Sequence, residues 1–195
     1  VSEYFGQERV VGGWVIDRMA SVWSHFHLDE RGATRFLIQI HRLTSGRYGR
    51  LLQRLLEIET YRMAAMLNLP LARDVLAGIR ELEDRRVRLV GSIGELEDGG
   101  ERALLAELTN LSHASERLNV ISGSHFNRTR RYARVLSERV RELREEPVPG
   151  YQTFEAFFEP RLSHAWDACE CAEQGLDDLS RDLQATTQLL RTADE

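Results

Sequence analysis

The chain has 195 residues and a mass of 22.4 kDa; 42% of it is hydrophobic, 29% is charged and only 4 residues are proline. That excludes a disordered chain, a collagen-like repeat and a disulfide scaffold, and leaves room for one domain with a sizeable core or two small ones. The formal charge is −5 and all 26 basic residues are Arg, so the overall field gives no help to generic phosphate-backbone binding and lysine chemistry is absent.

Residues 1–43 alternate like strands. The clearest piece is a hairpin about Asp29-Glu30-Arg31-Gly32, with Val22, Ser24, Phe26 and Leu28 on one face of its first strand and Phe36, Ile38 and Ile40 on one face of its second. Trp23, His25, His27, Arg35 and His41 fall on the opposite face. Upstream, Val10-Val11-Gly12-Gly13-Trp14-Val15-Ile16 offers a third strand, weakened by its paired glycines. A two-stranded hairpin is marginal alone, so this portion has to lean on helices or on sequence outside the chain.

From Thr44 the period changes to that of helices, expected at about 44–67, 71–97, 101–146 and 154–193. Leu51, Leu55, Ile58 and Leu52, Leu56, Met63, Met66 recur in the first; Pro70 either starts the next helix or kinks a continuous one. Val75, Ile79, Leu82, Arg86, Leu89, Ile93 and Leu96 repeat with 4-3 spacing up to Asp98-Gly99-Gly100. The same spacing links Leu104, Leu108, Leu111, Ser115, Leu118, Ser122, His125, Thr129, Tyr132, Leu136, Arg139 and Leu143, up to the break at Pro147-Val148-Pro149-Gly150. It returns through Leu162, Ala165, Cys169, Ala172, Leu176, Leu179, Leu183, Thr186 and Leu190. Three segments in one heptad register predict a coiled coil.

Residues 101–146 as one helix span about 69 Å, and short connections force neighbours antiparallel. The expected fold is mainly α (α+β overall): a β portion, 1–43, belonging to an incomplete head, and an elongated antiparallel three-helix coiled-coil stalk, 44–195.

Both termini read as cuts. The chain starts Val-Ser-Glu-Tyr, without an initiator Met or a leader pattern, and it stops within helical periodicity. No apolar run approaches the ~20 residues that span a bilayer, so the chain as given is expected to be soluble. Cys169 and Cys171 are two apart on a helix and point away from each other, which suits a reducing compartment.

The candidate chemistry is sparse. On a helical wheel Glu59 and Arg62 fall inside the apolar stripe of their helix at i,i+3 spacing, while Glu57 and Tyr61 point away; the expected role is a buried ion pair. His25 and His27 share a strand face at a spacing that can ligate zinc, but no third ligand is secured, and no metal is expected. His164 and Cys171 are a lone i,i+7 pair. His125 on the heptad seam reads as a hydrogen-bonded core histidine. Arg128, Arg130, Arg131 and Arg134, interleaved with Phe126 and Tyr132, form the one dense basic-aromatic stretch, read as a solvated face or an anionic-partner surface. No glycine-rich phosphate motif is present. No catalytic or cofactor-binding residue, no cofactor and no nucleic-acid partner is expected.

Four stretches carry a family resemblance: Gly49-Arg50-Leu51-Leu52-Gln53-Arg54-Leu55-Leu56-Glu57-Ile58-Glu59-Thr60-Tyr61-Arg62-Met63; Leu69-Pro70-Leu71-Ala72-Arg73; the 147–154 stretch with Gln152-Thr153; and Leu189-Leu190-Arg191-Thr192. Together they resemble a bacterial family of predicted membrane-anchored proteins of unknown function. The resemblance implies a longer protein with an α/β N-terminal half and C-terminal transmembrane helices, of which this is the soluble part between. It also implies a place at the bacterial inner membrane with this portion cytoplasmic, the Asp98–Gly100 turn on the membrane side and the Pro147–Gly150 turn distal. The expected function is that of a non-enzymatic membrane-tethered scaffold or interaction module, able to self-associate, with an unidentified protein partner. The alternatives are a helical module similar in outline to magnesium channels of the CorA type, or the support of an enzyme whose site lies in the N-terminal half.

Overall fold

In the computed structural model, which describes residues 1–6, 9–92 and 100–193, the chain is mainly helical with one small antiparallel sheet. The elements are α1 (Ser2–Phe5), β1 (Val11–Val15), β2 (Ala20–Leu28), β3 (Thr34–Ile40), α2 (Ser45–Met66), α3 (Leu69–Ser92), α4 (Glu101–Arg141), β4 (Glu146–Pro147) and α5 (Phe154–Ala193). The chain divides into two compact units, one of Val1–Met66 with Thr129–His164, the other of Leu67–Arg128 with Ala165–Glu195. Residues 1–43 fall whole within the first unit, together with α2 and parts of α4 and α5. The sheet cannot bury its inner face alone, and α2, the C-terminal part of α4 and the start of α5 complete its core. The turn expected at Asp98-Gly99 lies outside the described residues.

In the first unit the strand order is β3-β2-β1-β4. The β2–β3 turn is held by Asp29, whose Oδ1 accepts the backbone N–H of Arg31 and of Ala33, both at 2.9 Å. The paired glycines are a requirement of β1 instead of a weakness. A Cβ on Gly12 would stand 2.0 Å from the Val22 carbonyl oxygen of β2, and one on Gly13 would stand 2.4 Å from that of Glu146 in β4. Each glycine admits the strand on one side. The 101–146 helix ends early for the same reason: Glu146 and Pro147 leave helical geometry to pair with Trp14 and Gly13.

From Ala20 to Phe26, β2 is buried on both faces, the Trp23–His25 face included. Phe5 of α1 meets the His25 ring edge-on at 5.2 Å, and Tyr151 covers Trp23 at 4.7 Å. Phe26 sits at φ 52°, where the β2–β3 register shifts between Ser24 and Leu28, and Ser24 Oγ accepts its N–H at 3.1 Å. The bulge drives the Phe26 ring against Phe36, Phe154, Phe157 and Phe158, with centroids 4.7–5.6 Å away.

Helix α5 starts from Thr153, whose Oγ1 accepts the N–H of Ala156 at 3.2 Å. Pro160 lies inside the helix and has no N–H for the Ala156 carbonyl; Gln152 Nε2 donates to that carbonyl instead, at 2.8 Å. The Gln152 backbone carbonyl also accepts the Gly12 N–H at 2.8 Å. Gln152→Ala should therefore destabilise the chain by about 1 kcal/mol in urea unfolding, and Pro160→Ala should abolish most of that cost by restoring the helical donor.

In the second unit α3, α4 and α5 pack around one apolar core. Ala72, Val75, Ile79 and Leu82 of α3, Leu104, Leu108 and Leu111 of α4, and Cys169, Ala172, Leu176, Leu179 and Leu183 of α5 share one core. Contacts fix the directions. Arg85 pairs with Glu107 and Gly78 faces Leu118, so α3 runs antiparallel to α4. Arg86 pairs with Asp182 and Ile79 faces Gly175, so α3 runs parallel to α5. Helix α3 starts afresh at Leu69 with Pro70 in its first turn; Pro70 is not a kink within one helix, and the start precedes the expected 71.

The α4 seam departs from the expected one after Ser122. Phe126, Ala133 and Val140 are buried where His125, Tyr132 and Arg139 were expected. Two consecutive four-residue steps, Leu118 to Ser122 to Phe126, interrupt the heptad, as a stutter does.

Candidate functional site

Helix α2 presents its buried stripe, Leu51, Leu55, Ile58 and Ala65, to the first unit's core, and Glu59 and Arg62 flank that stripe. The Arg62 guanidinium grips Glu59 with two bonds, Nε to Oε2 at 2.7 Å and Nη2 to Oε1 at 2.6 Å, and Thr34 Oγ1 of β3 donates to Oε1. The Arg62 guanidinium carbon lies 5.6 Å from the centroid of the Phe26 ring. Burial pushes the Glu59 carboxyl up, but the bonds from Arg62 and Thr34 outweigh it and hold the group below the usual range. Glu59 is thus an ionised carboxylate with both oxygens taken, suited to fixing β3 on α2 and unsuited to donating a proton near neutrality.

A second chain of charges joins α2 to α4. Arg139 Nε donates to Glu57 Oε2 at 2.5 Å and its Nη1 to Glu142 Oε1 at 3.0 Å; Arg54 Nη2 pairs with Glu142 Oε2 at 2.7 Å. Gln53 first and then Arg139 lower the Glu57 pKa, and the Glu57 bond raises that of Arg139. Tyr61 meets Tyr132 with ring centroids 5.9 Å apart. Glu57 and Tyr61 therefore face α4 and do not point away. On the apolar side of the expectation, Leu56 and Met63 are exposed. The wheel places residues around the axis, but which arc becomes the inside depends on where β3 and α4 pack.

Sequence reasoning missed Glu145. Its Oε2 accepts the Phe154 N–H at 2.7 Å, capping α5 from the connector, while its Oε1 is buried without a hydrogen-bond partner. Burial, with some help from the charge of Glu155, pushes the Glu145 carboxyl up to about 7 against the pull of the Phe154 and Glu155 N–H groups. The only trace in the sequence is a carboxylate nine residues before a helix start, which is too common to single out.

The remaining candidates do not converge. His25 is buried, His27 is exposed and donates its backbone N–H to His25 Nδ1 at 2.9 Å, and His41 lies against Trp14. No group of three or more His, Cys, Asp or Glu among the described residues is arranged to hold a metal. His164 and Cys171 are exposed.

His125 is half-buried beside the seam, its Nδ1 3.1 Å from Asn68 Oδ1, and its carbonyl accepts from Asn68 Nδ2 at 3.1 Å. Asn68 also supplies the carbonyl for the first turn of α3, to Ala72. Asn68→Ala should cost about 1–2 kcal/mol in thermal unfolding, because it removes two side-chain bonds to His125 at once. The basic-aromatic stretch is sorted by the helix. Phe126 is in the core of the second unit and Tyr132 packs on Tyr61, whereas Arg128, Arg131 and Arg134 are exposed, Arg134 pairing with Glu138. Arg130 is half-buried and engaged.

These features define an α+β, mainly helical protein whose placed charges are arginine–carboxylate ties. The chain belongs to a family described as Protein of unknown function (DUF3422), whose model matches residues 1–193. No curated protein and no solved structure matches it. Among the described residues, no helix is long and apolar enough to cross a membrane.

Proposed function

We propose that this chain is a non-enzymatic scaffold or interaction module, tethered to a bacterial inner membrane by segments outside it and exposed to the cytoplasm. In this reading α3, α4 and α5 pack as an antiparallel three-helix coiled coil. The observation that carries it is the α5 seam: every position at 4-3 spacing from Leu162 to Leu190 is buried. The charges support the same reading, since Glu57 and Glu107 are each spent on an arginine of a neighbouring helix and Glu59 on Arg62 of its own, which fixes geometry instead of moving protons. The full-length protein in detergent tests it by subunit counting with metal analysis. A monomer or dimer without bound metal supports the scaffold; a ring retaining divalent ions overturns it in favour of ion transport.

A further inference from the structure

The first unit holds a cavity of about 310 Å³ walled by Arg47, Arg50, Arg54 and Arg144 over a floor of Ile16, Leu51 and Leu143. Its one acidic wall residue is Glu142. The sequence explains three of the arginines: 47, 50 and 54 recur at i, i+3 and i+7, hence on one side of α2. The first turn of α2 contains no acidic residue to neutralise them. The fourth comes from the turn after α4, where Arg144 takes φ 49°. That turn is pinned to the β1–β2 connection by the Ile16 N–H donating to the Leu143 carbonyl at 2.8 Å.

The connection itself is strained. Ile16, Asp17 and Arg18 stand at φ 53°, 53° and 61°, three successive non-glycine residues in the left-handed region. Such conformations are costly singly and persist where the surroundings over-determine them, as at ligand clamps.

The charges around this cavity do not cancel. Arg54 is paired with Glu142 at 2.7 Å and Arg144 with Asp17 at 2.9 Å. Arg47 reaches only the sulfur of Met19, at 3.0 Å, and Arg50 has no ion pair among the described residues. Two guanidinium groups thus face a concave space with a dry floor, since Leu51 and Leu143 are 2% and 1% exposed. In a chain of net charge −5 this is a local reversal of sign, on two exposed arginines beside an apolar floor. The guanidinium fork matches the oxygens of a phosphoryl group two at a time, which suits a lysine-free site. The volume is at the small end for ligand sites and admits a compact anion.

We propose that this cavity binds a compact phosphate-bearing anion of the oligophosphate or phosphomonoester class, clamped chiefly by Arg47 and Arg50. Neither the scaffold reading nor the membrane tether is needed for it. Calorimetric titration of the chain with pyrophosphate, and flotation with phosphatidic acid vesicles against phosphatidylcholine vesicles, test the proposal. Saturable pyrophosphate binding identifies a free phosphate compound as the source; binding to phosphatidic acid vesicles alone identifies a lipid headgroup. In either case Arg50→Ala should weaken binding at least tenfold, Arg47→Ala/Arg50→Ala should abolish it, and Arg117→Ala, on an exposed helical position, should leave it unchanged. Neither arginine ties elements together by an ion pair, so both variants should melt as the parent does, which separates lost binding from lost folding. No saturable binding by either probe, or binding undiminished in the double variant, overturns the proposal.

Discussion

Glu59→Ala should lower the melting temperature by about 10 °C, against a degree or two for Glu57→Ala. Removing one partner of a buried pair typically costs ~3–5 kcal/mol, against ~0–1 for an exposed one, and each kcal/mol is worth about 2–4 °C in a chain of this size. The Glu59 and Arg62 side chains are 17% and 15% exposed, so Glu59→Ala leaves a guanidinium over the Phe26 ring and the Thr34 hydroxyl without their acceptor. The Glu57 side chain is 30% exposed, and its loss leaves Arg139 still bound to Glu142. Removing both partners, in Glu59→Ala/Arg62→Ala, should recover part of the loss, because the stranded charge goes with its acceptor. The pH dependence has a defined sign. The folded-state pKa of Glu59 is depressed, so its contribution is present above the ordinary value of 4.5 and is lost as pH falls through the folded value. Scanning calorimetry of the variants at neutral pH decides it, and equal small shifts for Glu57→Ala and Glu59→Ala would refute the half-buried tie.

Glu145→Gln should flatten the pH dependence of stability between pH 4.5 and pH 7, where the parent chain loses on the order of 3 kcal/mol. Here the folded-state pKa is raised, from 4.5 to about 7. Across that window the folded chain keeps a proton that the unfolded chain has released. The contribution is therefore full below pH 4.5 and is lost as pH rises through about 7. The depressed carboxylates Asp29, Glu57, Glu59 and Glu107 act with the opposite sign and below the window, so they do not mask it. Glutamine can still accept the Phe154 N–H, and it carries no charge to bury beside Glu155. Urea midpoints measured from pH 4.5 to 8 on both proteins show the difference; parallel curves would assign the slope to another group.

Local periodicity by itself determined the long helices and the β2–β3 hairpin, but not the short α1 or the β4 pairing at Glu146–Pro147. The α5 positions from Leu162 to Leu190 follow from apolar spacing, because a helix repeats its buried face every three to four residues whatever it packs on. The Asp29–Gly32 turn and the Glu59–Arg62 neighbourhood follow from equally local chemistry, an aspartate that bonds its own turn and a spacing of one helical turn. What the tertiary structure alone decided was which arc of each helix becomes the inside, and which distant groups meet there. Leu56 and Met63 are as apolar as Leu55 and Ile58, yet they are exposed, since β3 and α4 claim the other arcs of α2. Thr34 reaches Glu59 from 25 residues away, and Arg139 reaches Glu57 from 82. The glycines of β1 read as a weakness until the carbonyls of Val22 and Glu146 are seen to occupy the space a Cβ would need. Glu145 acquires its raised pKa, and the arginines of α2 their cavity, only when the turn after α4 is folded against α5 and the β1–β2 connection. Burial and charge proximity are properties of the assembled chain, set by long-range packing that no window of sequence contains.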